Sequence, residues 1–196
     1  MKRKASVRRK TTETQISVAL CLDGKGEYAV KTGIAFLDHM LGLFSRHSLI
    51  DLVLTAKGDI DVDIHHTNED VALALGEALD KALGKRAGIK RFGEATVPMD
   101  EALVRAAVDV SGRPFLKISA GSGRIKDMPE YSLNYAEQFF RALCAKAGLT
   151  LHIDILDGTD AHHVLEAAFK AAAKALMRAL EREARTRRVP STKGRL

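Results

Sequence analysis

Two short segments carry the residues best suited to chemistry: His65-His66-Thr67-Asn68-Glu69 and His162-His163-Val164-Leu165-Glu166. Both read His-His-x-x-Glu, and they lie 97 positions apart in a chain of 196 residues. Four of the seven histidines fall in these doublets. Imidazole nitrogens and carboxylates are the usual ligands of borderline and hard divalent cations, so the repeat points to a metal site built from two related halves. Adjacent histidines cannot easily turn toward one ion, so each member of a doublet suits a different ion. One copy alone would read as a helix start that happens to carry histidine. Two copies at half-chain spacing favour ligation.

The elements that must position these residues follow from pattern. Residues 12–22 and 28–31 are extended, and the turn at 23–26 between them suggests a hairpin. Apolar residues at 36, 37, 40, 41 and 44 have helical spacing and leave Asp38 and His39 off the densest stripe. Residues 49–55 read as a strand, and 59–64, alternating Asp with Ile or Val, as a half-buried strand. The first doublet then stands at a strand-to-helix junction, with Thr67 and Asp70 resembling a capping box. Its helix runs on to the stop signals at Gly84 and Gly88. Past Gly93 the pattern restarts, with strands at 95–99 and 103–110 and a turn at 111–114. Residues 121–134 are loop-like, 134–148 a helix, 149–156 a strand, and about 161–185 a long alanine-rich helix. Each half thus reads helix, strand, turn, His-His-x-x-Glu, helix, which is an internal duplication rather than a solenoid. In that alignment 36–41 matches 135–140, so the place of His39 is taken by Gln138.

Composition narrows the class. A 46% hydrophobic chain of this length can bury a good core as one domain or two fused halves. It has no apolar run of eighteen residues and no secretory h-region after its basic start, so the expectation is a cytoplasmic protein without a membrane segment. Cys21 and Cys144 are too few for a disulfide framework. The net charge of +6 gathers at the ends, in Lys2, Arg3, Lys4, Arg8, Arg9 and Lys10 and again in Arg185, Arg187, Arg188, Lys193 and Arg195. Aromatics are only 5% and do not interleave with these cations, which argues against nucleic acid and leaves an anionic small molecule open. His47 reads as a surface or hydrogen-bonded residue, and His152 as a satisfied strand histidine.

Together the motifs resemble the imidazoleglycerol-phosphate dehydratase family of histidine biosynthesis over nearly the whole chain. They are KTTET (10–14), FLDHML (36–41), HHTNED (65–70), RFG (91–93), VPMDEAL (97–103), DVSGRP (109–114), LHI (151–153), HHVLEAAFKA (162–171) and PSTKG (190–194). The resemblance implies an α+β fold of two duplicated βαβ-type halves, about 1–90 and 91–187, plus a basic C-terminal tail. Each half would be a small four-stranded sheet with helices packed on it, of the ribosomal protein S5 domain 2-like kind, in one dehydratase domain spanning 1–196.

It further implies a hydro-lyase that turns D-erythro-imidazole glycerol phosphate into imidazole acetol phosphate through an imidazolate held by two Mn2+ ions per active site. The implied metal ligands are His39, His65, His66, Glu69, His162, His163 and Glu166. The family usually adds an eighth, most often histidine, where this chain has Gln138. Glu13 is the implied acid/base, with Glu69 and Glu166 able to share proton work. Arg91, Arg113, Lys170, Ser191 and Lys193 are implied for the phosphorylated substrate. Many relatives carry glutamine where this chain has Leu43. The implied assembly is trimers joined into a 24-subunit shell with sites between subunits, and no nucleic-acid or membrane partner. Two other readings compete. A non-catalytic metal-cemented shell would need neither Glu13 nor the phosphate-binding cations, and a nucleic-acid binder would show salt-sensitive affinity.

Overall fold

The computed structural model describes residues 3–121 and 125–196. Its first half runs β1 (Lys4–Lys10), β2 (Thr14–Cys21), β3 (Tyr28–Lys31), α1 (Ala35–Ser48), β4 (Asp51–Gly58) and α2 (His65–Leu83). The second half repeats that order as β5 (Phe92–Met99), β6 (Ala102–Asp109), β7 (Phe115–Ala120), α3 (Leu133–Ala147), β8 (Thr150–Asp157) and α4 (Ala161–Leu180). Both sheets have the same topology, β1-β2-β4-β3 and β5-β6-β8-β7. In each, two antiparallel pairings are followed by a parallel one, β3 on β4 and β7 on β8, with a helix as the crossover. The expected α+β duplication of βαβ-type halves is the fold observed.

Alternation explains which sheet face is covered. In β2 the side chains of Thr14, Ile16, Val18 and Leu20 are buried while those between them are exposed. Helices cover that inner face: α2 lies on β1 and β2, and α4 on β5 and β6. The helices also pair across the halves, α1 against α4 and α2 against α3. Phe139, Phe140 and Phe169 lie in ring contact between α3 and α4, with centroids 4.7 to 5.7 Å apart. One continuous hydrophobic cluster therefore draws on both halves. Close approach at Gly93 is obligatory, because a Cβ there would stand 2.0 Å from the Ala175 carbonyl oxygen on α4.

Several expectations from sequence are corrected. Residues 23–26 do not join a hairpin, because β3 pairs in parallel with β4 and never with β2. Residues 59–64 form a turn, not a strand; β4 stops at Gly58, where a Cβ would meet Thr67 Oγ1 at 2.0 Å. Thr67 and Asp70 do not cap α2 but face inward, both buried, while Asp63 Oδ1 accepts from the His65 N–H at 2.9 Å. The basic N-terminus, from Lys4 to Lys10, is an edge strand with only Val7 fully inside. The last helix ends at Leu180, short of 185. Of the 121–134 segment, 122–124 lie outside the described residues, as does Lys2 at the chain start.

The N-terminal edge strand is pinned by Arg3. Its guanidinium donates to Asp23 Oδ1 at 2.6 Å through Nη2 and to the Leu180 carbonyl at 2.9 Å through Nη1. The guanidinium's hydrogen bond to Asp23, working against partial burial and joined by one from the Arg3 backbone N–H at 2.8 Å, holds the Asp23 carboxyl down at about 2. Because the folded pKa is depressed, the stabilisation is complete above the ordinary carboxylate value and disappears as pH falls through about 2. Asp23→Asn should lower stability by about 1–2 kcal/mol at pH 6. The deficit relative to wild type should close progressively between pH 4 and 2, as read by denaturant unfolding across that range; a constant deficit would contradict the assignment.

Candidate metal and anion site

The two His-His-x-x-Glu segments each start a helix, and the helix geometry sorts their side chains. On α4, His162 and Glu166 stand one turn apart, with Nε2 and Oε2 separated by 3.4 Å. On α2, His65 and Glu69 have the same 3.4 Å separation. The second histidine of each doublet turns away, its ring nearly perpendicular to the first at 82° for His65 and His66 and 81° for His162 and His163. The sequence expectation that neighbours in a doublet face different places matches this geometry.

Cross-half helix packing brings a third donor to one pair. His39, on α1, places Nε2 3.3 Å from Glu166 Oε2, beside His162. Among the described residues His39, His162 and Glu166 form a group of three donors, one atom of each within 4.8 Å of the others. Glu166 is buried and also accepts from Lys170 Nζ at 2.5 Å. Burial alone would raise its carboxyl, but the hydrogen bonds from Lys170 and His39 outweigh that and hold it below its usual value. Farther along the same α1 face, His47 is half-buried near Lys170 and Lys174; burial, then those charges, lowers its pKa.

The matching place in the other half is held by Gln138. It lies ten residues before the left-handed C-cap Gly148 of α3, as His39 lies ten before the left-handed C-cap Leu49 of α1. Helix α3 packs on α2, which carries His65 and Glu69. Gln138 Oε1 is buried and has no hydrogen-bond partner among the described residues. A buried acceptor without a donor costs about 1–3 kcal/mol unless something else meets it. Two imidazoles with a carboxylate are a donor set that fits a divalent cation, and the other half offers the same donor types on two packed helices, an imidazole–carboxylate pair on α2 and an unsatisfied oxygen on α3.

The outward histidines are held by carboxylates through Nδ1. His66 Nδ1 lies 3.0 Å from Asp59 Oδ2 and 3.7 Å from Glu13 Oε2. His163 Nδ1 lies 2.6 Å from Glu101 Oε2. The Asp59 hydrogen bond raises the pKa of His66, and the Glu101 hydrogen bond raises that of His163. Glu101 itself is held down at about 2, first by the Asp160 N–H and then by His163. Asp59 and Glu101 were not singled out from sequence. The signal available for Glu101 was its place directly before β6, matching Glu13 directly before β2.

The anion-binding candidates gather elsewhere. Arg91 is mostly buried; its Nε and Nη2 grip Asp109 at 2.7 and 3.0 Å, and its Nη1 donates to the Pro190 carbonyl at 2.8 Å. That last bond fixes the C-terminal tail, whose Ser191 Oγ accepts from the Lys193 N–H at 3.2 Å. The tail closes on the 111–114 turn, where the Leu196 backbone meets Gly112. Arg113, 69% exposed, and the exposed Lys193 keep their charged ends open to solvent. Arg91 thus spends its donors on the scaffold, whereas Arg113 and Lys193 have donors to offer an anion. His152 sits on the outer sheet face against Phe115, with ring centroids 5.6 Å apart.

These two groups do not meet within one chain. The Arg91 N–H bonds to the Ala179 carbonyl near the end of α4, while His162 and His163 stand at its start. Seventeen residues of helix separate them by about 25 Å. Lys170 lies about midway.

The model of the imidazoleglycerol-phosphate dehydratase family matches residues 32–176. The imidazoleglycerol-phosphate dehydratase of Caldanaerobacter subterraneus subsp. tengcongensis is 51% identical over 192 residues, covering 98% of both chains. That of Geobacter sulfurreducens is 46% identical over the full length of both. Among solved structures, the Pyrococcus furiosus protein superposes with a TM-score of 0.83 at 37% identity, covering 97% of this chain and 100% of that one. The Staphylococcus aureus protein does so with a TM-score of 0.80 at 35% identity, covering 91% and 99%.

One contact inside the site is testable without any ligand. Asp70, buried, accepts from Arg9 Nε at 2.8 Å and from Thr14 Oγ1 at 2.5 Å. It thereby ties the β1–β2 turn, which carries Glu13, to the first turns of α2. Asp70→Ala removes both contacts and should cost about 1–3 kcal/mol in denaturant unfolding. Hydrogen exchange should rise first in the 9–14 segment; unchanged protection there would refute the tie.

Proposed function

The chain belongs to the imidazoleglycerol-phosphate dehydratase family, a hydro-lyase of histidine biosynthesis, and we propose that it dehydrates D-erythro-imidazole glycerol phosphate to imidazole acetol phosphate with two Mn2+ ions at each site. The observation that carries the metal reading is the convergence of His39, His162 and Glu166 from the two halves. His39, His162 and Glu166 would hold one cation, and His65 and Glu69, with Gln138 in the eighth place, the other. His66 and His163 turn their rings outward, which suits donation to a site completed by another copy. When bound, the ions supply Lewis-acid polarisation of the substrate imidazole and a template for its ring nitrogens.

The chain's own residues do the remaining work. A proton must leave a carbon that no carbonyl acidifies, and the neighbouring hydroxyl must leave as water. Glu13 is placed for the first task. It is half exposed, and among the described residues its carboxylate has only the long 3.7 Å contact to His66, which leaves it open to take up a proton from substrate. Loss of water gives an enol, which becomes the ketone. Glu69 and Glu166 would supply the carboxylate oxygens that a divalent cation takes as ligands. Lys170, on Glu166, neutralises that buried carboxylate and can turn its ammonium toward an anionic group. Arg113 and Lys193 are the open cations for the phosphate, on the tail that Arg91 and Ser191 order.

The roughly 25 Å of α4 between His162 and Ala179, where Arg91 and its tail are anchored, supports a site shared between copies. One chain would bring the imidazole-binding end and another the phosphate-binding end, in keeping with the expected trimers and 24-subunit shell. Among the described residues no helix is long and apolar enough to cross a membrane. A purely structural metal protein would share the histidine clusters, yet it would gain nothing from an unpinned Glu13 or an exposed Arg113.

The decisive assay is turnover of imidazole glycerol phosphate by protein stripped with a chelator and reloaded with Mn2+. Activity should vanish on stripping and return on reloading; assembled, Mn2+-loaded protein without turnover would end the enzyme reading. Arg113→Ala should keep bound Mn2+ and the native size while raising KM about ten- to a hundredfold, the loss of one charge-assisted phosphate contact. An unchanged KM would remove Arg113 from the phosphate site.

A further inference from the structure

We propose that Glu101 is the positioning residue for His163, and that it performs for the second half the task that Asp59 performs for the first. The inference rests on the metal reading above and adds a residue to it. Glu101 and Glu13 are pseudo-equivalent, each standing directly before the second strand of its sheet, at Ala102 and Thr14. Their surroundings differ. Glu101 Oε1 accepts from the backbone N–H groups of Thr159 at 3.2 Å and Asp160 at 2.9 Å, and Oε2 meets His163 Nδ1 at 2.6 Å. Among the described residues the Glu13 carboxylate has no such hydrogen bonds; it approaches His66 Nδ1 at 3.7 Å, while its backbone N–H donates to Thr11 Oγ1 at 3.2 Å.

Loop length accounts for the difference. Between β4 and α2 the chain has six residues, 59–64, and the first of them, Asp59, reaches His66 Nδ1 at 3.0 Å. Between β8 and α4 it has only three, Gly158, Thr159 and Asp160. Asp160 is committed to the helix N-cap, accepting from the N–H groups of His162 and His163 at 2.8 and 3.3 Å. No carboxylate of the short loop is left for the His163 ring. Glu101, reaching over from the β5–β6 turn, fills that role and is itself clamped by the loop.

The chemical consequence lies in the tautomer. A carboxylate on Nδ1 keeps the proton there, which leaves the lone pair of Nε2 for a ligand; the exposed Asp100 Oδ2 approaches that nitrogen only to 3.5 Å, beyond close hydrogen-bond range. The two pseudo-equivalent glutamates have therefore separated in function. Glu101 orients an imidazole, and Glu13, relieved of that duty by Asp59, stays free for proton transfer.

Glu101→Gln separates this role from plain structural support. A glutamine carbonyl can still accept from the Thr159 and Asp160 N–H groups, so the loop stays clamped. Its amide then offers a donor to His163 Nδ1, which calls for the opposite tautomer, with the proton on Nε2. Mn2+ alone is titrated into stripped full-length protein, with free Mn2+ followed by electron paramagnetic resonance. The expected result is affinity weakened about ten- to a hundredfold at the His163 site, with native thermal stability and assembly size. Glu13→Gln, measured alongside, should keep wild-type Mn2+ affinity while losing turnover.

Wild-type Mn2+ affinity in E101Q would overturn the inference and leave the metal reading standing. Wild-type protein that retains no Mn2+ in the same titration would overturn the metal reading, and the inference with it. If E101Q fails to assemble, Glu101→Asp reads the same quantity. It keeps the charge but falls one methylene short of His163, so it should bind Mn2+ less tightly than wild type; equal binding overturns the inference.

Discussion

The structure depends on one packing choice: each His-His-x-x-Glu helix is covered by a helix from the opposite half, α4 by α1 and α2 by α3. A duplicated chain whose halves folded apart would leave each i, i+4 histidine–glutamate pair with two donors. Exchange of helix partners between the halves supplies a third, His39, to the pair on α4, and the same packing fuses the two apolar layers into one core. The group His39, His162 and Glu166 is thus a by-product of the arrangement that buries α1 and α4. Side chains set on packed helices are held more firmly than side chains on loops, as a metal site requires.

Much of this was legible because the informative residues follow simple periods. The i, i+4 spacing within each doublet, the restart of pattern past Gly93 and the offset between His39 and Gln138 all survive in the structure. What failed did so for identifiable reasons. The 59–64 segment alternates Asp with Ile and Val, but Val62 is 78% exposed, so its alternation reflects no buried face. The N-terminal strand was hidden because it is an edge with one buried residue, and its cations, Arg3 and Arg9, are fastened to Asp23 and Asp70 rather than merely solvated. Thr67 and Asp70 imitate a capping box, yet tertiary packing against Gly58, Thr14 and Arg9 claims both. Pairing of β3 with β4 rather than β2 depends on a helical crossover, which turn residues cannot reveal.

The candidate anion site shows a different kind of hidden information. By residue type, Arg91 and Arg113 are interchangeable cations. In the fold one is consumed by Asp109 and the Pro190 carbonyl, while the other comes only within 3.8 Å of the same Asp109 and stays largely open to solvent. A sequence names the candidates for an anion site but not which of them spends its donors on the scaffold. The tail after α4 makes the same point. It would read as frayed, yet Gly88, Lys90 and Arg91 share backbone hydrogen bonds with residues 179–188, and Arg91 holds Pro190. The ordered tail carries Ser191 and Lys193 between its tie to Arg91 at Pro190 and its end against Gly112.

Duplication gives two copies of each position, and the physics of the copies then diverges where a loop changes length. The six-residue junction before α2 affords an aspartate for His66, so the glutamate of the neighbouring turn is left unbound. The three-residue junction before α4 affords none, so the equivalent glutamate is drawn into the scaffold. Gln138 departs from His39 in the same manner, keeping an oxygen at the place of an imidazole nitrogen but without its basicity. Two-fold symmetry of the fold therefore coexists with asymmetry of the donors. Such asymmetry suits a reaction in which one carboxylate must move a proton while its counterpart must not.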